Sequence, residues 1–317
     1  MSIDNSPDLP PVALIAGPTA SGKSDLAVRL AQRLEAQGKR AVVLNADSAQ
    51  VYSDLQVLSA RPTEEEMGGI EHRLFGAWDG ATACSAADWA AAAKREIADL
   101  HAEGAVPILC GGTGLYMRTL LEGIAPVPEI DAEVRAQVRA LSQEEARTAL
   151  ETEDPDAAAR LAPADTSRTS RALEVVRSTG RTLKDWQADK VGGIGDRVSL
   201  YPLVLLPDRD WLYERCDRRF ILMLEGGAVR EVETLLARKL DPSLPVMRAI
   251  GVPEITGLLE GELSRDQAIV AGQTATRRYA KRQYTWFRHQ PPGSWPRDDN
   301  KTIDEYDLFV SLLRKES

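Results

Sequence analysis

The chain has 317 residues, of which 43% are hydrophobic, and it carries a formal net charge of -9 at pH 7. This length and composition exclude a disordered chain, and no apolar run approaches the roughly 20 residues that span a bilayer. Its three cysteines are isolated from one another, so neither a disulfide framework nor a zinc site is indicated. Because the N-terminus is acidic and unlike a secretory leader, we expect a cytoplasmic protein with no membrane partner.

The first predicted elements are a buried strand at residues 12–16 and an amphipathic helix with Leu26, Leu30 and Leu34 on its inner face. Between them lies the pattern G-x-x-x-x-G-K-[ST], formed by Gly17, Pro18, Thr19, Ala20, Ser21, Gly22, Lys23 and Ser24. Such a loop binds phosphate through its N–H groups and the helix N-terminus; the lysine adds a charge, and the final hydroxyl can hold Mg²⁺. The loop therefore predicts a diphosphate site, on a nucleotide or on another donor.

Two further strands are predicted at residues 41–44 and 106–110, and each is followed by polar residues. Asp47 follows the earlier strand, at the sheet edge where ligands bind. A carboxylate there suits a Mg²⁺ ligand or a general base, and a helix N-cap is the structural alternative. A glycine-rich turn after the later strand exposes the Thr113 hydroxyl, although it could also be a plain tight turn.

A fourth strand at residues 201–206 completes an α/β pattern, whereas residues 131–160 contain no strand candidate. We therefore predict a P-loop NTPase-like parallel sheet core with an all-helical insertion domain. The core comprises residues 1–122 and 200–317, including the basic C-terminal helix, and the insertion comprises residues 123–199.

Basic residues are concentrated near the C-terminus, where no acidic residue lies between Asp266 and Asp298. On the predicted helix, one face carries Arg278, Lys281, Arg282 and Thr285, an arrangement that suits a nucleic-acid backbone despite the negative net charge. Residues 167–171 open a second basic patch. In both places the alternative is an ordinary solvated helix face.

Arg215 and Arg219 lie one helical turn apart soon after the fourth strand. They could form an anion clamp. The spacing alone favours a solvated face paired with nearby acids.

Nine short motifs occur in the order of one family. They are GPTASGKS at Gly17, NADSAQVY at Asn45, SARP at Ser59, HRL at His72, CSAAD at Cys84, GGTGLY at Gly111, SRALEV at Ser170, RRF at Arg218 and AKRQYTWFR at Ala280. From the first strand to Arg288, the chain closely resembles bacterial tRNA dimethylallyltransferases, of the tRNA isopentenyltransferase family.

The resemblance implies transfer of a dimethylallyl group from its diphosphate to N6 of the adenine beside the anticodon, at position 37 of tRNA. The loop with Mg²⁺ would bind the diphosphate, Arg219 would neutralise the leaving group, Asp47 would accept the amine proton and Thr113 would orient the amine. The implied partner is the tRNA anticodon stem-loop, and we expect a monomer. The implied tRNA contacts are Asp47, Ser48, Ala49, Gln50, Ser167, Arg168, Thr169, Ser170, Arg171, Arg248, Arg278, Lys281, Arg282, Gln283, Trp286 and Arg288.

Two segments depart from the family pattern. Leu58 and Ser59 stand where relatives have Gly-Thr, and Val252 and Pro253 stand where relatives carry an aromatic hydroxyl and a cation that contact RNA. The alternatives are a P-loop small-metabolite kinase, which leaves the basic helix unexplained, and a non-catalytic RNA-binding module, which leaves Asp47 and Thr113 unexplained.

Overall fold

The computed structural model describes residues 9–299 and residue 309. The predicted acidic N-terminus and most of the residues beyond 299 lie outside the described residues. The described strands, in chain order, are β1 (Pro11–Ala16), β2 (Ala41–Asn45), β3 (Glu71–Arg73), β4 (Val106–Gly111), β5 (Gly123–Ile124), β6 (Val191–Gly192), β7 (Ser199–Leu205) and β8 (Arg297–Asp298).

The helices connect the strands and form most of the remaining described structure. They are α1 (Lys23–Ala36), α2 (Glu64–Met67), α3 (Ala86–Ala102), α4 (Gly114–Glu122), α5 (Ala132–Ala140), α6 (Gln143–Glu153), α7 (Pro155–Arg160), α8 (Thr166–Thr179), α9 (Leu183–Ala188), α10 (Arg209–Glu225), α11 (Ala228–Ala237), α12 (Val252–Leu259) and α13 (Arg265–His289). A 3₁₀ turn covers Pro245–Arg248. Among the described helices, none is both long and apolar enough to cross a bilayer.

Six strands form one parallel sheet in the order β3-β2-β4-β1-β7-β8, which confirms the predicted α/β class. The central strand β1 is buried on both faces because alternate residues enter different cores. Leu14 packs in the core that contains Trp89 of α3, whereas Ile15 packs with Leu26 and Leu30 of α1. A continuous apolar run is therefore the pattern that this strand needs.

Strand register brings three loops to one edge of the sheet. Ala16 of β1 pairs with Gly111 of β4, and Asn45 of β2 pairs with Cys110 of β4. These strands consequently end side by side, and the segments that follow them, residues 17–22, 46–50 and 112–113, begin at the same edge.

The chain divides into two compact units. The core unit comprises the described parts of Met1–Leu121 and Ile194–Ser317, and the insertion unit comprises Glu122–Gly193. The sequence predicts 123–199 for the insertion, whereas the compact unit ends at Gly193 because the Ile194 N–H donates to the Leu120 carbonyl of the core unit (3.0 Å).

The insertion unit is helical except for a short antiparallel pair between β5 and β6. Its helices α5 to α8 pack around a small core of its own, which includes Val138, Leu150 and Leu173.

Candidate active site

The loop between β1 and α1 has the backbone shape of a phosphate cradle. Ala20 and Gly22 have positive φ angles of 63° and 91°, and α1 begins immediately afterwards at Lys23. The loop is fixed to the sheet by the Gly17 N–H, which donates to the Gly111 carbonyl (3.3 Å). Successive N–H groups at a helix N-terminus form an anion site, so the local geometry agrees with the motif.

Lys23 and Ser24 lie at the start of α1. The Lys23 Nζ donates to the Pro18 carbonyl across the loop (3.2 Å), and burial lowers the pKa of this lysine while nearby Asp47 opposes the shift. Ser24 is exposed, and its side chain hydrogen-bonds with Cys110, whose pKa is raised to about 11 chiefly by burial. That thiol is therefore protonated at neutral pH. The Lys23 Nζ faces the loop.

Asp47 is buried at the end of β2 and is held by its neighbours. The Asp47 N–H donates to Asn45 Oδ1 (2.8 Å), and the Asn45 Nδ2 donates to the carbonyls of Asp47 (3.0 Å) and Leu74 (3.2 Å). The carboxylate accepts one hydrogen bond from the Ala49 N–H (3.0 Å). Asp47 thus caps a turn rather than a helix, and the buried amide of Asn45, which sequence reasoning passed over, fixes its backbone.

The turn after β4 contacts the turn after β2 directly. The Thr113 N–H donates to the Ala46 carbonyl (3.1 Å), and Thr113 Oγ1 accepts from the Ser48 N–H (2.9 Å) and donates to Ser48 Oγ (3.2 Å). A Cβ on Gly111 would lie 2.1 Å from the Ala46 backbone, so glycine is required there. Tyr279, for which the sequence predicts no contact with this turn, hydrogen-bonds with Thr113, and its pKa is raised chiefly by burial.

Gln283 occupies a different place from the RNA-facing one that the resemblance implies. Its side chain is only 6% exposed, accepts from the Thr19 N–H (2.8 Å) and donates to the Gly112 carbonyl (2.9 Å). Trp286 is also turned inward, with its ring against Gly114. Both side chains lie on the face of α13 that packs on the core, because 3.6 residues per turn place them away from the basic face.

The two arginines of α10 have separate surroundings. Arg219 donates from Nη2 to Thr19 Oγ1, and its pKa is lowered chiefly by burial, while Asp47 opposes the shift. Arg215 instead lies over the Trp211 ring, with its guanidinium 4.7 Å from the centroid. Asp217 pairs with Arg277 (2.5 Å). One arginine, and not a pair, therefore reaches the loop.

A cavity of about 300 Å³ joins these groups in the core unit. Its polar lining includes Thr19, Asp47 and Arg219. Its lining also includes the apolar side chains Leu58, Phe220, Met223 and Ile250, together with Ser48, Ala49, Arg248 and Arg282. The last two are exposed arginines, so they mark the opening of the cavity.

The predicted basic face of α13 is on the surface. Its exposed residues are Arg278, Lys281, Arg282, Thr285 and Arg288. Within the described residues none of these four cations forms an ion pair, although the Arg282 guanidinium lies over the Tyr279 ring, 5.5 Å from its centroid. The charge of this face is available to an external anion.

The basic patch of the insertion unit has a different character. Arg168 pairs with Asp165 (3.3 Å), and Arg171 pairs with Glu174 (3.8 Å). Further cations are paired as well: Arg177 with Glu153 (2.6 Å), Arg181 with Asp189 (2.5 Å) and Lys184 with Asp156 (3.1 Å). Ser167 is exposed and Ser170 is half-buried, whereas Thr169 is fully buried and faces the insertion core. The patch therefore mixes both signs of charge.

The donor atoms beside the loop fit a hard cation. Within the described residues no group of three or more His, Cys, Asp or Glu side chains could enclose a metal ion. The exposed Ser24 hydroxyl and the Asp47 carboxylate supply oxygen ligands, which Mg²⁺ prefers, and Mg²⁺ usually completes its shell with phosphate oxygens and water. The residues present fit a hard divalent cation such as Mg²⁺.

Comparison with known proteins gives one consistent result. A family model described as IPP transferase matches residues 50–290. The chain is 73% identical over 305 residues to the tRNA dimethylallyltransferase of Erythrobacter litoralis, with 96% of each chain covered. The tRNA isopentenylpyrophosphate transferase of Bacillus halodurans is 30% identical, with a TM-score of 0.67 and coverage of 96% of this chain and 94% of that one. A eukaryotic dimethylallyltransferase acting on tRNA is 28% identical, with a TM-score of 0.74, and the match covers 87% of this chain and 69% of that one.

Proposed function

The chain belongs to the IPP transferase family, and from this membership we propose how its cavity works. The protein is a tRNA dimethylallyltransferase. It transfers a dimethylallyl group from dimethylallyl diphosphate to N6 of the adenine beside the anticodon, at position 37 of tRNA, and releases diphosphate. The observation that carries this assignment is that a phosphate loop, a buried carboxylate and a mixed polar and apolar cavity meet at one sheet edge.

The donor diphosphate binds against the loop. The loop N–H groups and Lys23 hold its oxygens, and Arg219, anchored on Thr19, neutralises charge that develops as the allylic C–O bond loosens. Ser24 would hold Mg²⁺, and the ion would supply charge that stabilises the leaving group. The leaving group carries more negative charge in the transition state than in the bound donor, so these contacts accelerate the reaction more than they tighten donor binding.

The acceptor is the exocyclic amine of adenine, a poor nucleophile because its lone pair is delocalised into the ring. Asp47 accepts the proton that the amine loses, and Thr113, whose hydroxyl already contacts Ser48, orients the amine. Asp47 lines the cavity, so we expect the target nucleotide to leave its stack and enter it, which costs least in a single-stranded loop.

The anticodon stem-loop binds the exposed cations of α13 through its phosphates. Arg278, Lys281, Arg282 and Arg288 provide that surface, with Arg248 at the opening of the cavity. Gln50 and the paired patch of the insertion unit are weaker candidates because their side chains already have partners. The protein acts as a monomer in the cytoplasm, where its tRNA substrate is found.

Diphosphate release tests the reaction. The protein is incubated with Mg²⁺ and dimethylallyl diphosphate, with and without bulk tRNA, and a parallel sample receives ATP in place of the allylic donor. We expect diphosphate release only when donor and tRNA are both present. Turnover of ATP with no use of the allylic donor would instead indicate the kinase that shares the loop motif.

A further inference from the structure

A single carboxylate holds part of the cavity wall, although it lies far along the chain from the residues that form that wall. Glu231 of α11 accepts the N–H groups of three successive residues: Oε1 accepts from Gln56 and from Val57 (2.8 Å), and Oε2 accepts from Leu58 (2.9 Å). All three donors lie outside any helix or strand. Charge-assisted hydrogen bonds of this kind are stronger than neutral ones, so this side chain contributes strongly to the path of the segment.

The segment that Glu231 holds forms a wall of the cavity. Leu58 and Ser59 line it, and the Leu58 side chain is 9% exposed. Leu58 also reaches the other side of the opening, since a Cβ on Gly251 would lie 2.5 Å from its Cδ2. Gly251 comes directly after Ile250, which lines the cavity together with Arg248. The segment of residues 56–58, which Glu231 holds, therefore borders the opening of the cavity.

Other contacts keep the neighbouring backbone in place independently of Glu231. The Gln50 Nε2 donates to the carbonyls of Ser59 (3.1 Å) and Ala60 (2.8 Å), downstream of the Glu231 contacts. Upstream, Arg238, which directly follows the same helix, pairs with Asp54 and with Asp79 (2.6 Å). Loss of the Glu231 carboxylate would thus leave the N–H groups of residues 56–58 without their acceptor. The Gln56 carbonyl would still accept from the Arg61 N–H (3.1 Å), and both flanks would stay anchored.

We propose that Glu231 is a positioning residue for the acceptor: by holding residues 56–58 it sets where Leu58 and Ser59 meet the incoming adenine. This inference rests on the proposed function. The diphosphate loop is held by its own hydrogen bonds to Gly111 and Gln283. Neither residue contacts residues 56–58 through these bonds. The effect of Glu231 should therefore fall on the acceptor and not on the donor.

The test is the isosteric variant Glu231→Gln, in which an NH₂ group replaces one carboxylate oxygen and opposes a backbone N–H. Glu233→Gln on the exposed side of the same helix is the matched control, and Leu58→Ala removes the side chain that the segment presents. Steady-state kcat and KM for tRNA are measured per folded molecule, which is counted by donor-binding stoichiometry. The dissociation constant for dimethylallyl diphosphate is measured separately.

For Glu231→Gln we expect kcat/KM for tRNA to fall about 10-fold to 100-fold, as for other displacements of about 1 Å near a reacting group. For Leu58→Ala, kcat/KM for tRNA should also fall. Donor affinity should stay at the wild-type level, and so should all constants of the Glu233→Gln control. Two results would overturn the proposal: wild-type constants per folded molecule in Glu231→Gln, or an equal loss of donor affinity. If neither wild type nor control modifies tRNA, the proposed function fails instead.

Discussion

The change Gln283→Leu tests whether a buried amide organises the diphosphate site. Leucine keeps the apolar volume but removes the acceptor for the Thr19 N–H (2.8 Å) and the donor to the Gly112 carbonyl (2.9 Å). A buried polar group that loses its partner costs about 1–3 kcal/mol, so two such groups should lower the free energy of unfolding by about 2–6 kcal/mol. The diphosphate loop also loses its link to the turn after β4, so donor affinity should fall as well.

Urea-induced unfolding gives the free energy, and titration calorimetry with dimethylallyl diphosphate gives the donor affinity. Thr285→Leu is the matched control, because Thr285 lies two residues further along α13 on its exposed side. The control should leave stability and donor affinity unchanged. Wild-type stability and donor affinity in Gln283→Leu, combined with weaker tRNA binding, would refute the bridging role and restore the RNA contact that the resemblance implies.

Three further changes separate the parts of the site. Asp47→Asn should reduce turnover by about 10²–10⁴-fold with fold and tRNA affinity intact, and an unimpaired variant would exclude the general base. Lys23→Ala should weaken diphosphate binding in calorimetry but leave tRNA affinity nearly unchanged; an equal loss of both would argue against separate donor and acceptor sites. The double change Arg278→Ala, Lys281→Ala should weaken tRNA binding and flatten its log–log salt dependence, by about 0.7 per lost phosphate contact, with donor affinity unaltered.

The central strands could be predicted because each is a run of apolar residues buried on both faces. The outer strands β3 and β8 could not, since they are only three and two residues long and carry the charged sequences Glu-His-Arg and Arg-Asp. Such strands form because a neighbouring strand offers free backbone groups, and their own sequence carries no signal for them.

The same limit applies to the site. The proximity of the turns that carry Asp47 and Thr113 can be predicted because parallel strands end at one edge, a consequence of topology that sequence order reveals. Arg215 and Arg219 lie one helical turn apart, so the sequence does not distinguish between them. The packing of α10 decides which one reaches Thr19. Gln283 depends likewise on the rotation of α13. The acids that pair with Arg177 and Lys184 of the insertion unit lie 24 and 28 residues away in the sequence.

The most direct measurement identifies the modified nucleoside. Wild-type protein is incubated with labelled dimethylallyl diphosphate, Mg²⁺ and bulk tRNA, and the tRNA is then digested and analysed by mass spectrometry. The label should appear only in N6-dimethylallyladenosine from the position beside the anticodon, and Asp47→Asn should abolish nearly all of it. Label on another nucleoside, or an equal yield from Asp47→Asn, would contradict the account.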